Sequence, residues 1–249
     1  MEFSTYVSEA LKIIKHPLSL IRHRSPVQEW SLEESYGTHR QFLEQSLRLI
    51  GPEKNVLEIG MGFNSTAIFR SYVERNSQAR CISVENSDEY FVDVQRSLGE
   101  HVRHQFNKVG GDQSWFTVLT QLLKDKWGLV FIDSSPWDSR TIALLMFRSL
   151  ARIVVVHDVD YYPHNGLWGR EYRGIALLPR VSGENELGEH GVRCYCDIFS
   201  SWVELFPTDP KWFTGPPTLV GSNFLNLDEI NWEYAEHVNL SKNCPCRHA

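Results

Sequence analysis

The sequence predicts an α/β protein: a doubly wound, mostly parallel seven-stranded sheet with helices on both faces and an N-terminal helical extension. Three observations carry that prediction. From residue 55 onward, short apolar runs alternate with longer amphipathic segments, the pattern of strands buried on both faces and joined by helices. The first run, "NVLEIG", passes through two glycines in three positions into a helix-like segment. The chain of 249 residues can bury one sizeable core, and its 42% hydrophobic and 22% charged residues are those of an ordinary folded domain.

Taken in order, residues 3–16 and 27–50 read as helices. Leu11, Ile14, Leu43, Leu47 and Ile50 fall at helical spacing, Pro17 separates the two segments, and Gly51-Pro52 closes the second. Five strands follow at 55–60, 79–86, 102–110, 127–134 and 151–159, with helices near 64–76, 88–99, 114–124 and 138–150 between them. After Val159, "DYYPHNGLWGREYRG" is a connection too long for a simple turn, and such connections commonly form lids or substrate loops. "CYCDIFSSWVELFP" and "PPTLVGSNF" supply a closing pair of strands, and "LDEINWEYAEHVNLSKNCPCRHA" reads as a short helix and a polar tail. With no internal repeat and no linker, the chain is expected to form one domain: extension 1–52, core 53–226, helix and tail 227–249.

A formal net charge of −6 provides no field to gather nucleic-acid phosphates, so nucleic acid is not the expected partner. The N-terminus lacks the apolar core of a signal peptide, and no stretch approaches the ~20 apolar residues of a membrane span. A cytoplasmic location is the resulting expectation. Five cysteines, Cys81 with the pairs Cys194/Cys196 and Cys244/Cys246, are read as reduced thiols. The Cys-x-Cys spacing of both pairs is tighter than the usual spacing in structural zinc sites.

The glycine turn narrows the ligand. A dinucleotide fingerprint, Gly-x-Gly-x-x-Gly, would place a third glycine where Ser65 stands. An acid, Glu58, instead precedes the first glycine by two positions. Glu58, Gly60 and Gly62 match the first motif of the class I S-adenosylmethionine-dependent methyltransferases, which this sequence resembles. Two further landmarks of that family recur in order: Glu85 ending the second strand, and Gly111-Asp112 after the third. The resemblance implies a Rossmann-like fold and S-adenosylmethionine as cofactor, with S-adenosylhomocysteine as product. In that reading Glu58 attracts the donor's ammonium, Glu85 accepts its ribose hydroxyls and Asp112 meets its adenine. It places Gly60, Gly62, Asn64, Ser65 and Asp133 around the same ligand.

The fourth and fifth predicted strands end in "VFIDSSPWDSR" and "IVVVHDVDYY". Charges at the mouths of buried strands are costly unless paired, protonated or metal-bound, which marks Asp133, His157 and Asp158 as catalytic candidates. Two roles stay open. His157 removes a proton from an acceptor hydroxyl with Asp133 or Asp158 orienting the ring, or Asp133, Asp158 and Asp160 hold Mg2+ or another divalent cation that lowers the hydroxyl's pKa. Catechol-type O-methyltransferases place acids at these strand ends for a metal but lack the histidine. The run from Trp127 to Tyr161 is also similar to the glucuronoxylan 4-O-methyltransferase family, whose fifth-strand motif reads His-Asp-Val-Asp. That likeness implies an O-methyltransferase type of site, not a polysaccharide acceptor.

Tyr161, Tyr162, His164 and Trp168, with Trp212, Phe213, Gly215 and Asn223, are the candidate wall of an acceptor pocket. The expected function is methyl transfer to oxygen of a small-molecule or saccharide-like acceptor. A nicotinamide-dinucleotide oxidoreductase and a non-catalytic scaffold on the same fold are the alternatives.

Overall fold

The computed structural model describes residues 37–52, 54–110, 114–159, 171–172, 175–176, 195–208, 217–233 and 235–243. The predicted helix 3–16 lies outside them. The second predicted helix is described from residue 37, and its helical turns run over Arg40–Ile50 (α1). It ends where Gly51 takes a positive φ of 78° and its N–H bonds the Arg48 carbonyl.

The alternating segment forms as expected. In order come β1 (Val56–Ile59), α2 (Phe63–Arg75), β2 (Cys81–Glu85), α3 (Asp88–Leu98), β3 (His104–Lys108), α4 (Trp115–Leu122), β4 (Trp127–Ile132), α5 (Trp137–Phe147) and β5 (Ala151–Val156). The short hairpin β6 (Glu171–Tyr172) and β7 (Ile175–Ala176) stands apart from the main sheet. β8 (Ser201–Pro207) and β9 (Thr218–Ser222) are the predicted closing pair.

The main sheet runs β10-β8-β9-β5-β4-β1-β2-β3, where β10 spans Ala235–Leu240. Strands β3, β2, β1, β4 and β5 are parallel; β9 joins β5 antiparallel, and β8 and β10 continue that alternation. The expected seven strands are present, and β10 adds an eighth at the edge. The segment predicted as a C-terminal helix is therefore two short 3-10 turns, Leu227–Glu229 and Ser241–Asn243, flanking that edge strand. Local composition favoured helix, but the open edge of β8 offers a hydrogen-bonding partner, and tertiary context decides such a segment.

Each face of the sheet buries its own core. On one face Leu57, Ile59, Val130, Ile132, Val154 and Val156 pack with α4, α5 and Trp202. On the other, Val56, Leu129, Phe131, Ile153 and Val155 meet Phe42, Leu43, Leu47 and Ile50 of α1 and Ile68, Phe69 and Val73 of α2. The N-terminal helix is thus a layer of the domain itself. Burying it brings the residues just before it, Thr38 and His39, against the ends of β4 and β5.

The strand order changes direction between β1 and β4. In open α/β sheets that point, at the carboxyl ends of the strands, is where ligands bind.

Candidate active site

Gly60 ends β1 with φ at 94°, and a Cβ there would stand 2.4 Å from the Asp133 carbonyl oxygen. Only glycine lets the chain turn while β1 and β4 stay hydrogen-bonded, with Asp133 N–H donating to the Ile59 carbonyl at 2.7 Å. Gly60 therefore closes the strand ends together, and the residues that face outward follow it: Met61, Gly62, Phe63, Asn64 and Ser65 line a cavity of about 630 Å3.

Glu58 lies beneath this loop and not in the cavity. Its side chain is fully buried, Ser83 Oγ donates to one oxygen at 2.5 Å, and Thr66 Oγ1 donates to the other at 3.0 Å. Burial raises its pKa to about 8 against the pull of hydrogen bonds from Ser65, Ser83 and Thr66, so the carboxyl is mostly protonated at neutral pH. Thr66 Oγ1 also accepts the Gly62 N–H at 3.1 Å. Glu58 thus holds the glycine loop through Thr66, which corrects the expectation that it faces the donor's ammonium.

Glu85 does line the cavity. One of its oxygens accepts N–H bonds from Asn86 and Ser87 at 2.8 and 2.6 Å, and the other accepts the Met61 N–H at 2.8 Å. Three amides fix the carboxylate across the gap between β1 and β2. The singly bonded oxygen retains a lone pair for a ligand hydroxyl. Phe63 and Tyr90, both half-exposed with ring centroids 6.3 Å apart, also belong to this region.

At the far end of the cavity, Asp133 after β4 and Asp158 after β5 flank Arg140, from the first turn of α5. Each carboxylate gives one oxygen to the guanidinium and the other to a histidine. Arg140 Nη2 donates to Asp133 Oδ1 at 2.7 Å and Nη1 to Asp158 Oδ2 at 3.3 Å. His157 Nδ1 stands 3.3 Å from Asp133 Oδ2 and 3.2 Å from Asp158 Oδ1. Arg140 is anchored further by the Ser134 and His157 carbonyls at 2.6 and 2.9 Å. Asp158 holds a left-handed φ of 56°, a conformation that costs a non-glycine residue about 1–3 kcal/mol and that concentrates at functional sites.

His157 lies behind these carboxylates, 1% exposed, with its Nε2 bonded to Thr38 Oγ1 at 2.8 Å. Burial alone would lower its pKa, but Asp158 and Asp133 outweigh burial and raise it. Burial pushes Asp133 up, yet His157 and Arg140 prevail and hold it down to about 2. Burial keeps Asp158 raised despite the His157 imidazole beside it. Environment has driven the two acids in opposite directions, the pattern that separates a fixed anion from a group able to exchange a proton.

Arg140 and His157 each bond one oxygen of both Asp133 and Asp158, the two expected Mg2+ ligands among the described residues. Asp160, the third expected ligand, lies outside the described residues, as do Asp112, Tyr161, Tyr162, His164, Trp168, Trp212, Phe213 and Gly215. Asn223 is described and lies just after β9, at the end of the sheet opposite the cavity, near the amino ends of the parallel strands. Its amide donates to the Arg148 and Ile198 carbonyls, and its oxygen accepts the Ser200 N–H, so the expectation that it lines an acceptor pocket is corrected.

Three residues that sequence reasoning missed complete the site: Thr38, His39 and Arg140. His39 is 2% exposed, lines the cavity and packs edge-on to His157 with ring centroids 4.5 Å apart. Burial, with His157 next, lowers its pKa to about 3, so the ring is neutral.

No protein-family model matches the chain, and no curated protein does. Solved structures do. An O-methyltransferase from Bacillus cereus in complex with SAH is 15% identical, with 88% of this chain and 95% of that chain covered and a TM-score of 0.50. The cofactor-bound protein Rv0187 from MTB is 17% identical over 80% of this chain and 84% of its own, also at a TM-score of 0.50. The chain has the Rossmann-like fold of these proteins. Among the described residues no helix is long and apolar enough to cross a membrane.

Proposed function

We propose that the chain is an S-adenosylmethionine-dependent methyltransferase acting on an oxygen of a small-molecule or saccharide-like acceptor. The observation that carries this reading is the shared cavity. One space of about 630 Å3 is lined by the glycine turn, by Glu85 and by Asp133 and Asp158, so a donor held at one end presents its other end to paired carboxylates.

The residues present suit such a donor. Glu85 is held rigid by three amides and keeps a lone pair toward the cavity for a ribose hydroxyl. Phe63 and Tyr90 offer aromatic surface for a base, and Asn64 brings a polar side chain to the cavity from the first turn of α2. When bound, the donor supplies a methyl group on a sulfonium, and displacement breaks the S–C bond, forms an O–C bond and returns the electron pair to sulfur.

The protein's part is alignment and proton handling. Asp158 faces the cavity with a raised pKa and takes the proton of the acceptor hydroxyl. Asp133 stays ionised, fixed by Arg140. His157 acts through both acids and positions them. The His-Asp-Val-Asp sequence at 157–160 supports oxygen as the acceptor atom.

The test is conversion of S-adenosylmethionine to S-adenosylhomocysteine by purified protein with a metabolite extract. Conversion is expected in the wild type and not in Asp158→Asn. Absence of conversion in every extract would favour the scaffold reading.

A further inference from the structure

A belt of buried polar side chains crosses the sheet beneath α2. It runs over three neighbouring strands: Glu58 on β1, Ser83 in register with it on β2, and His104 at the start of β3. Thr66 and Arg70, one turn apart on α2, meet its two ends. Thr66 Oγ1 donates to Glu58 Oε1 at 3.0 Å, and Ser83 Oγ donates to Glu58 Oε2 at 2.5 Å. Ser83 Oγ lies 2.8 Å from His104 Nε2, and Arg70 Nε donates to His104 Nδ1 at 3.3 Å. The other two nitrogens of Arg70 donate to the Leu98 and Gly99 carbonyls at 2.7 and 2.8 Å, where α3 ends.

Arg70 sets the direction of these bonds. A guanidinium only donates, so His104 Nδ1 carries no proton. Burial, with Arg70 and then His101 adding to it, lowers the pKa of the ring to about 3, and a neutral ring holds its one proton on Nε2. Nε2–H therefore donates to Ser83, whose own hydroxyl proton goes to Glu58. From the other side the Gly62 N–H donates to Thr66, whose hydroxyl proton also goes to Glu58. The circuit starts and ends on α2, and its last member is the glycine loop. Around it this face is apolar, with Val56, Cys81, Ile68 and Phe69. A fully bonded polar network in such surroundings rigidifies them and specifies one arrangement.

We propose that Ser83, His104 and Arg70 are positioning residues for the methyl donor: through Glu58 and Thr66 they set the Gly62 amide and the first turn of α2, which wall the donor cavity. None of the three lines that cavity, so each acts on a ligand only through the loop. Their role toward a donor rests on the methyltransferase reading; the direction of the belt does not.

The test titrates the full chain with S-adenosylhomocysteine in a calorimeter and records a thermal melt of each variant. Ser83→Ala and His104→Leu should each weaken binding by roughly three- to thirtyfold. His104→Gln, whose amide keeps a donor toward Ser83, should recover most of that loss. Val73→Ala opens the same α2–sheet core without touching the belt, so it should lower the melting temperature and leave the affinity unchanged. In the wild type, the 15N shifts of the His104 ring should show the proton on Nε2. Wild-type affinity in folded Ser83→Ala and His104→Leu, an affinity loss in Val73→Ala as large as theirs, or a ring protonated on Nδ1 overturns the proposal. Wild-type protein that binds no S-adenosylhomocysteine overturns the methyltransferase reading along with it, whereas binding that is indifferent to the belt overturns the proposal alone.

Discussion

The Arg140 guanidinium lies 2.7 Å from the Asp133 carboxylate, and both its terminal nitrogens are engaged by the carboxylates that end β4 and β5. A buried cation thus staples neighbouring strand ends. Removing one partner of such a pair leaves an uncompensated charge, so Arg140→Ala is expected to destabilise the fold by about 3–5 kcal/mol. Urea unfolding of the variant measures it, and a loss below about 1 kcal/mol would show that the pair is solvated like a surface ion pair. Arg140→Lys should rescue only part of the loss, because an ammonium cannot span both acids with a planar fork.

Glu58 makes stability depend on pH in the opposite direction to an ordinary carboxylate. Its pKa rises from 4.5 to about 8 on folding, so the folded chain binds a proton that the unfolded chain releases. Its contribution is fully present below pH 4.5, declines as pH rises through that window, and is lost once pH passes about 8. Glu58→Gln should flatten the fall in stability across this window, with a difference of roughly 3–5 kcal/mol between its ends. Parallel pH profiles for the two proteins would contradict the burial of an ionisable group there.

Gly60 and Gly62 are not equivalent despite sharing one motif. A Cβ on Gly60 meets the Asp133 backbone at 2.4 Å in a positive-φ turn, whereas one on Gly62 meets only Ser65 Oγ at 3.4 Å. Gly60→Ala should therefore cost more than about 2 kcal/mol, and Gly62→Ala less than about 1 kcal/mol. Thermal melts of the two variants give the comparison, and equal losses would contradict the assigned strand-closing role of Gly60.

Strands β1, β2, β4 and β5 were legible because strands covered on both faces read as apolar runs, and β3, an edge strand of sequence HQFNK, was legible from its place in the strand–helix alternation. β10 was not, since an edge strand takes its structure from the partner that its sequence does not contain. In the site, Asp133, His157 and Asp158 stood out as charges at the ends of such runs. Thr38 and His39 gave no local signal: Thr38 meets His157 across 119 positions of sequence, through the packing of α1 on the sheet. Arg140 lay in plain view seven residues after Asp133, but only the first turn of α5 shows that it points back at it. Glu58 was found and misread, because a motif gives a residue's position on a strand and not which way its burial turns its chemistry.

The most direct test of the donor site is calorimetric titration of the wild type and Glu85→Ala with S-adenosylhomocysteine and, separately, with NAD. The expected result is one S-adenosylhomocysteine per chain, affinity reduced at least about tenfold in Glu85→Ala from the loss of a charged hydrogen bond, and no heat with NAD. Binding of NAD without S-adenosylhomocysteine, or S-adenosylhomocysteine binding untouched by loss of Glu85, would contradict it.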